Sequence, residues 1–156
     1  MKEKFDCSVA LRSPAHITLV PPFWMSDDLE HKLEEAISEF SRDAVSFEVN
    51  LKNFAAFKPR VIYVDVLSNQ QLQVLYDRLH EHLVAGNLFP IKKDERPFHP
   101  HVTIATRDLR KKAFHESWET FKKESYEASY MIDGISLLKH NQKNWDVIFT
   151  SQLQNC

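Results

Sequence analysis

The sequence predicts an α+β fold built from two duplicated β-α-β-β units, a bilobed domain with pseudo-two-fold symmetry whose largely antiparallel sheets line a central cleft. Three observations carry this expectation. Hydrophobic spacing switches between the period of two of half-buried strands and the three-and-four spacing of amphipathic helices. The phrase His-x-Thr occurs twice on apolar, strand-like segments, at His16-Ile17-Thr18 and His101-Val102-Thr103. Each copy opens the same succession of strand, helix, strand and strand, so the repeats span about 16–67 and 101–150. A chain of 156 residues suffices for one such domain, 1–156, and excludes a multidomain assembly.

Residues 16–20 (HITLV) read as a short strand stopped by Pro21-Pro22. Ser26 or Asp27 then caps a helix whose Leu29, Leu33, Ala36, Ile37 and Phe40 fall on one face. Val45, Phe47, Val49 and Leu51 alternate with Ser46, Glu48, Asn50 and Lys52, the pattern of a half-buried strand. A further strand is expected at 61–67 (VIYVDVL), and a helix over roughly 70–85 with Leu72, Leu75, Leu79 and Leu83 inward. After a basic loop come a strand at 101–105 (HVTIA) and a helix near 109–123, with Leu109, Ala113, Phe114, Trp118 and Phe121 inward. Two strands, about 126–138 and 145–150, close the chain around the polar turn His140–Asn144.

Composition narrows the function. Hydrophobic residues make up 43% of the chain and eleven are Phe, enough for a packed core. The formal net charge of −2 argues against a protein that coats duplex DNA or long duplex RNA, which needs a broad basic face. Only two glycines occur, so neither glycine-rich nucleotide loop can be written. Cys7 and Cys156 form no metal pattern and read as reduced thiols of a cytoplasmic protein. No apolar run reaches membrane-helix length, and Met1–Lys4 lacks the apolar stretch of a signal peptide, so no membrane partner is expected.

Side chains at i and i+2 of a strand share a face. His16 therefore points with Thr18, and His101 with Thr103, while Ile17, Leu19, Val102 and Ile104 point into the fold. If a pseudo-two-fold relates the copies, two imidazoles flank one spot and two hydroxyls aim at it. In-line displacement at phosphorus needs a base on the incoming oxygen and an acid on the leaving one. Histidine can serve as either near neutrality. The threonines can hydrogen-bond the non-bridging oxygens as charge builds there. The scheme requires no metal and no cofactor.

The phrases Ser13-Pro14-Ala15-His16-Ile17-Thr18-Leu19 and Phe98-His99-Pro100-His101-Val102-Thr103-Ile104 resemble the paired signatures of the 2H phosphoesterase superfamily, in particular its bacterial 2′-5′ RNA ligase (LigT-like) branch. The resemblance runs over almost the whole chain. It implies a bilobed α+β fold and a metal-independent site acting on 2′,3′-cyclic phosphates of RNA ends, on small cyclic nucleotides, or on 2′-5′ linkages. His16 and His101 match the family's catalytic positions, and Thr18 and Thr103 its phosphate-binding ones. Lys58-Pro59-Arg60-Val61-Ile62-Tyr63 is similar to another family segment, in which Arg60 could pair with phosphate or simply face water.

Other residues carry weaker signals. Phe23, Phe57 and Tyr63 could stack on a base or belong to the core. His99 with His101 makes an HxH to which His16 could add a third zinc ligand, although no further ligand sits at a suitable spacing. His80 and His82 lie two apart on a helix and so on different faces, and His31 and His115 read as surface positions. Lys139, His140 and Asn141 form a polar turn facing solvent or substrate. Between Lys92 and Lys143 basic side chains outnumber acidic ones, a modest rim that could draw in an RNA end.

The expected function is thus hydrolysis of a 2′,3′-cyclic phosphate, with 2′-5′ ligation as the same chemistry run with a 5′-hydroxyl in place of water. The rival readings are a non-catalytic RNA-end or nucleotide-binding module and a zinc hydrolase. A last expectation concerns the N-terminus. The second motif is preceded by a full strand and helix, and the first by only fifteen residues, so the first repeat is expected to lack its opening strand and most of its opening helix. An open sheet edge of that kind would favour self-association.

Overall fold

A computed structural model of the chain describes residues 13–92, 94–106 and 110–156. Its elements run α1 (Glu30–Ser41), β1 (Phe47–Phe57), β2 (Val61–Val66), α2 (Gln70–Val84), β3 (His101–Ala105), α3 (Lys111–Phe121), β4 (Glu127–Ile132), β5 (Gly134–His140) and β6 (Trp145–Gln152). The strands form a four-stranded sheet in the order β3-β2-β1-β4 and a β5-β6 hairpin, with every named pairing antiparallel. This is the α+β class that the periodicity predicts.

Of the two sheets, only the β5-β6 hairpin comes from a single repeat. The larger takes β1 and β2 from the first half and β3 and β4 from the second. The β5-β6 hairpin of the second half packs on α1 of the first, while α3 of the second lies against β2 of the first. Backbone bonds from Ser46 N to Gln154 O and from Gln154 N to Ala44 O, both 2.8 Å, fasten the end of the chain beside the entrance to β1. The halves are interleaved.

Local chemistry explains the helices. On α1 the stripe Leu33, Ile37 and Phe40 is buried, and Asp27, Asp28 and Glu30 crowd its positive end. The helix proper starts at Glu30, after a 3-10 turn at Asp27–Leu29 that follows Ser26. On α2 the Asn69 side chain accepts a bond from Leu72 N at 2.9 Å, a side-chain N-cap. Its four leucines are all buried, together with Tyr76 and His80. The chain leaves α2 through Gly86 at φ +83, where an added Cβ would meet nothing within 4 Å; backbone conformation, not space, selects glycine there.

Five expectations change. Neither Ser26 nor Asp27 caps α1, whose N-cap position is Leu29 with no side-chain bond; the Ser26 hydroxyl bonds Asp28 instead. Residues 16–20 do not form a strand, since only Ile17 makes a bridge. The alternation of β1 starts at Phe47: Val45 is exposed and Ser46 is buried, because the C-terminal segment covers Ser46 instead. The strand expected at 126–138 is two strands broken at Asp133, where the chain leaves the four-stranded sheet for the hairpin. Gly134 sits at that step, and a Cβ there would lie 3.2 Å from the Ser151 carbonyl oxygen. The third helix begins at Lys111 rather than 109. Leu109 and the N-terminal segment expected to lack a strand and helix lie outside the described residues, apart from 13–15.

The main core gathers α1, α2, β1 and β2, with Ile17, Leu19, Val102 and Ile104 packed onto it. A smaller cluster of Ile62, Ala105 and Phe114, all fully buried, fixes α3 beneath β2 and β3. Each large side chain so buried contributes roughly 1.5–3 kcal/mol. Among the described residues no helix is long and apolar enough to cross a membrane.

Candidate active site

The two His-x-Thr motifs meet. Ile17 bridges Val102 in antiparallel fashion, and the register of that bridge sets His16 level with Thr103 and Thr18 level with His101. A local two-fold axis therefore passes between Ile17 and Val102. Both of these side chains pack on the core, which turns the histidines and threonines to the opposite face. His16 and Thr18 are exposed there; His101 and Thr103 are half-buried.

The two imidazoles are held in the same way. His16 Nδ1 lies 2.6 Å from the Pro14 carbonyl oxygen, and His101 Nδ1 lies 2.7 Å from the His99 carbonyl oxygen. In each case the partner is the residue two before. A carbonyl can only accept, so Nδ1 carries the proton and donates. Each neutral ring then presents the lone pair of Nε2 outward, ready to take a proton, and each charged ring presents an Nε2–H ready to give one. The fixed tautomer is what acid–base work requires.

The surroundings of the two histidines differ. Across β2, His101 pairs with Asp65 and Thr103 with Tyr63. The Tyr63 ring lies 5.1 Å from that of His101, and the Phe57 ring, also 5.1 Å away, meets it edge-on. His99 Nε2 stands 3.3 Å from both the Tyr63 hydroxyl and Asp65 Oδ1. Burial, followed by the Asp65 charge, pushes the Tyr63 phenol above its ordinary pKa, so it stays protonated.

The aromatic alternatives resolve differently for each ring. Tyr63 is buried and Phe23 packs on the main core, whereas Phe57 is 41% exposed beside His101. Arg60 is exposed in the tight turn between β1 and β2, its backbone N bonded to Phe57 O at 3.1 Å. The turn thus carries Phe57 and Arg60 together. His99, of the zinc alternative, is engaged by Tyr63 and Asp65. No group of three or more His, Cys, Asp and Glu poised for a metal occurs among the described residues.

The polar residues at the end of β5 and in the turn after it bond within the protein. Lys139 Nζ reaches Glu30 Oε2 at 2.6 Å and Asp27 Oδ1 at 3.0 Å, and these bonds, Glu30 first, raise its pKa. Asn141 accepts bonds from the backbone N of Asn144 and Lys143, at 2.7 and 3.0 Å. His31 is a surface residue beside Glu35, as expected. Sequence reasoning misses the Tyr63–His99–Asp65 group; the visible signal is Tyr63 and Asp65 at i and i+2 in one strand. It also misses that His80 and His82 both turn inward, each Nε2 2.9 Å from a backbone carbonyl, of Leu19 and Ala36 respectively.

Paired imidazoles with free Nε2 atoms, interleaved with two hydroxyls on one face, form an arrangement that can take up and give protons. Comparison with known proteins carries that arrangement to a family. The family model of the 2′-5′ RNA ligase superfamily matches residues 1–144, and the chain belongs to that superfamily, among the 2H phosphoesterases. It is 30% identical over 152 residues to the RNA 2′,3′-cyclic phosphodiesterase of Bacillus subtilis (strain 168), covering 88% of this chain and 76% of that one. Among solved structures, E. coli LigT complexed with 3′-AMP matches with a TM-score of 0.63 at 18% identity, over 97% of this chain and 90% of that chain. TT0787 of Thermus thermophilus matches with a TM-score of 0.64 at 16% identity, over 90% and 79%. At such identities these two structures establish the fold.

Proposed function

We propose that the protein is a cytoplasmic, metal-independent phosphodiesterase that hydrolyses 2′,3′-cyclic phosphates on RNA ends or small nucleotides, with His16 and His101 as its acid–base pair. The observation that supports this best is the matched pair of Nδ1–carbonyl bonds, set on either side of the Ile17–Val102 bridge. One neutral imidazole takes a proton from water through Nε2 as the water oxygen bonds to phosphorus. The other, protonated, gives its Nε2 proton to the ribose oxygen as the opposite P–O bond breaks. The product is a phosphate monoester with a free neighbouring hydroxyl, and the two histidines have exchanged protonation states. Thr18 and Thr103 hydrogen-bond the non-bridging oxygens, most strongly when charge peaks. Arg60 draws the phosphate in, and Phe57 offers a face for a base.

With a 5′-hydroxyl in place of water the same steps run as 2′-5′ ligation. The relative from Bacillus subtilis, named for cyclic phosphodiester cleavage, supports the hydrolytic direction. The test is a panel of 2′,3′-cyclic nucleotides and oligonucleotides with cyclic phosphate ends, with and without EDTA. Hydrolysis indifferent to chelator is expected. Loss of all turnover in EDTA would put a metal hydrolase in its place, and tight binding without turnover would leave a binding module.

A further inference from the structure

We propose that one turn of α2, through Tyr76 and His80, sets the position of the two His-x-Thr motifs relative to each other. Both are positioning residues; neither touches substrate. His80 is 1% exposed, and its Nε2 lies 2.9 Å from the Leu19 carbonyl oxygen, so Nε2 donates. Leu19 directly follows Thr18. The other ring nitrogen, Nδ1, is buried without a hydrogen-bond partner. A buried acceptor left bare is unfavourable, and a leucine at this position of the helix would avoid it. What the histidine provides, and leucine cannot, is the bond to the first motif.

Tyr76 lies one turn earlier, at the i, i+4 spacing that brings side chains together. Its ring touches that of His80 at 4.5 Å and lies flat on Phe98, with centroids 4.0 Å apart and planes 8° apart. Phe98 directly precedes His99, whose carbonyl holds His101 Nδ1. A continuous line of contact therefore runs from the Leu19 carbonyl through His80, Tyr76 and Phe98 to the carbonyl that orients His101. His82, further along the helix, binds the Ala36 carbonyl at 2.9 Å and ties α2 to α1.

The chemistry needs this support. In-line displacement requires the two Nε2 atoms on opposite sides of one phosphorus, and a misplacement of about 1 Å can cost roughly 100-fold in rate. Between the motifs themselves the backbone makes one isolated bridge, not a ladder. The clamp from α2 fixes what that bridge leaves loose.

The proposal rests on the two-histidine reading of the site, so its test has one arm that needs no turnover. The variants are His80→Leu, His80→Gln, Tyr76→Leu and Tyr76→Phe, with 2′,3′-cyclic AMP as substrate. A glutamine can place an amide N–H where the imidazole Nε2–H stands, and a phenylalanine keeps the stack. In both leucine variants kcat should fall about 10- to 100-fold per folded molecule, with KM moving less than about threefold. His80→Gln and Tyr76→Phe should recover most of the loss. The second arm is amide exchange over residues 13–20 and 98–106, which should quicken in His80→Leu and return in His80→Gln. If His80→Leu does not fold, His80→Asn, whose amide falls one atom short of Leu19, replaces it in both arms. Wild-type kcat in the folded variant, or a glutamine no better than the leucine, would overturn the clamp. If the wild type leaves the cyclic phosphate intact, the functional reading fails, and exchange alone decides: unchanged exchange in the variants overturns the clamp as well.

Discussion

Two buried serines on inner helix faces should respond in opposite ways to loss of their hydroxyls. Ser117 on α3 is fully buried, and its Oγ has no hydrogen-bond partner. Ser41, at the end of α1, is 1% exposed, but its Oγ donates to the Ile37 carbonyl oxygen at 2.8 Å. For Ser117→Ala three contributions enter. Removing a buried, unsatisfied hydroxyl relieves a desolvation cost of about 1–3 kcal/mol. Alanine adds up to about 0.5 kcal/mol of helix propensity. Against these, the void left is about one probe sphere, roughly 10–15 Å³, which costs about 0.3 kcal/mol at the measured cavity coefficient. The balance is a stabilisation of about 1–3 kcal/mol, or a Tm rise of at least about 2 °C for a chain of this size. Ser41→Ala instead loses a bond with a net value of about 0.5–1.5 kcal/mol and regains only the propensity, so it should be neutral or destabilising by up to about 1 kcal/mol. The assay is urea unfolding of both variants against wild type, comparing midpoints at constant m. If Ser117→Ala lowers the midpoint, or the two variants fall in the reverse order, the hydroxyl of Ser117 has a partner and the reasoning fails.

His16→Ala and His101→Ala should each lower kcat at least ~100-fold, the low end for a positioned acid or base. The double variant should lose far less than the product of the two, because the pair acts as a unit; full multiplicativity in steady-state kinetics would contradict this. The pH profile of kcat/KM should be bell-shaped, since one imidazole must be neutral and the other charged. Arg60→Ala should raise KM about three- to tenfold and less so at high salt, as suits one exposed charge-assisted contact; an unchanged KM would remove Arg60 from the site. The Asp94 carboxyl is held down to about 2, first by the Arg96 side-chain bond. Because its folded pKa lies below the unfolded one, its contribution is complete above the usual carboxylate range and disappears as pH falls through about 2. An NMR titration of the carboxyl carbon should show this midpoint, and Arg96→Ala should return it toward the ordinary value.

What the sequence reveals follows from the range of the interaction. The four leucines of α2 and the alternation Phe47–Val49–Leu51 are local patterns, and both elements lie where those patterns place them. The His-x-Thr duplication is also local, and its facing rule orients Ile17 and Val102 inward as expected. Pairing between distant segments leaves no such trace. The duplication leads to the expectation that the motifs meet, but nothing near His16 announces that they do so through a bridge from Ile17 to Val102, or that β2 of one half receives β3 of the other. The break at Asp133 lies between strand-forming runs and is marked by the Asp133-Gly134 pair, a turn signal that the reading of one strand over 126–138 passes over. His80 reads as one of two histidines on opposite helix faces, and its purpose depends on a carbonyl 61 residues away.

The bridge at Ile17 and Val102, with each histidine set level with the other motif's threonine, has the form of an isologous contact: i meets j, and j meets i. A half-length chain with a single motif could build it only by pairing with a copy of itself about a two-fold axis. Two such copies would hold their histidines in identical surroundings, and neither would be predisposed to be acid or base. Joining the halves in one chain removes that restriction while keeping the geometry. Here the two sides differ: His16 stands exposed, while His101 sits among Phe57, Tyr63 and the Asp65–His99 pair. The cyclic phosphate proposed as substrate is itself unsymmetrical, with water on one side and a ribose oxygen on the other. A two-fold joined in one chain, with unlike surroundings on its two sides, can tell those sides apart, which a strict dimer cannot.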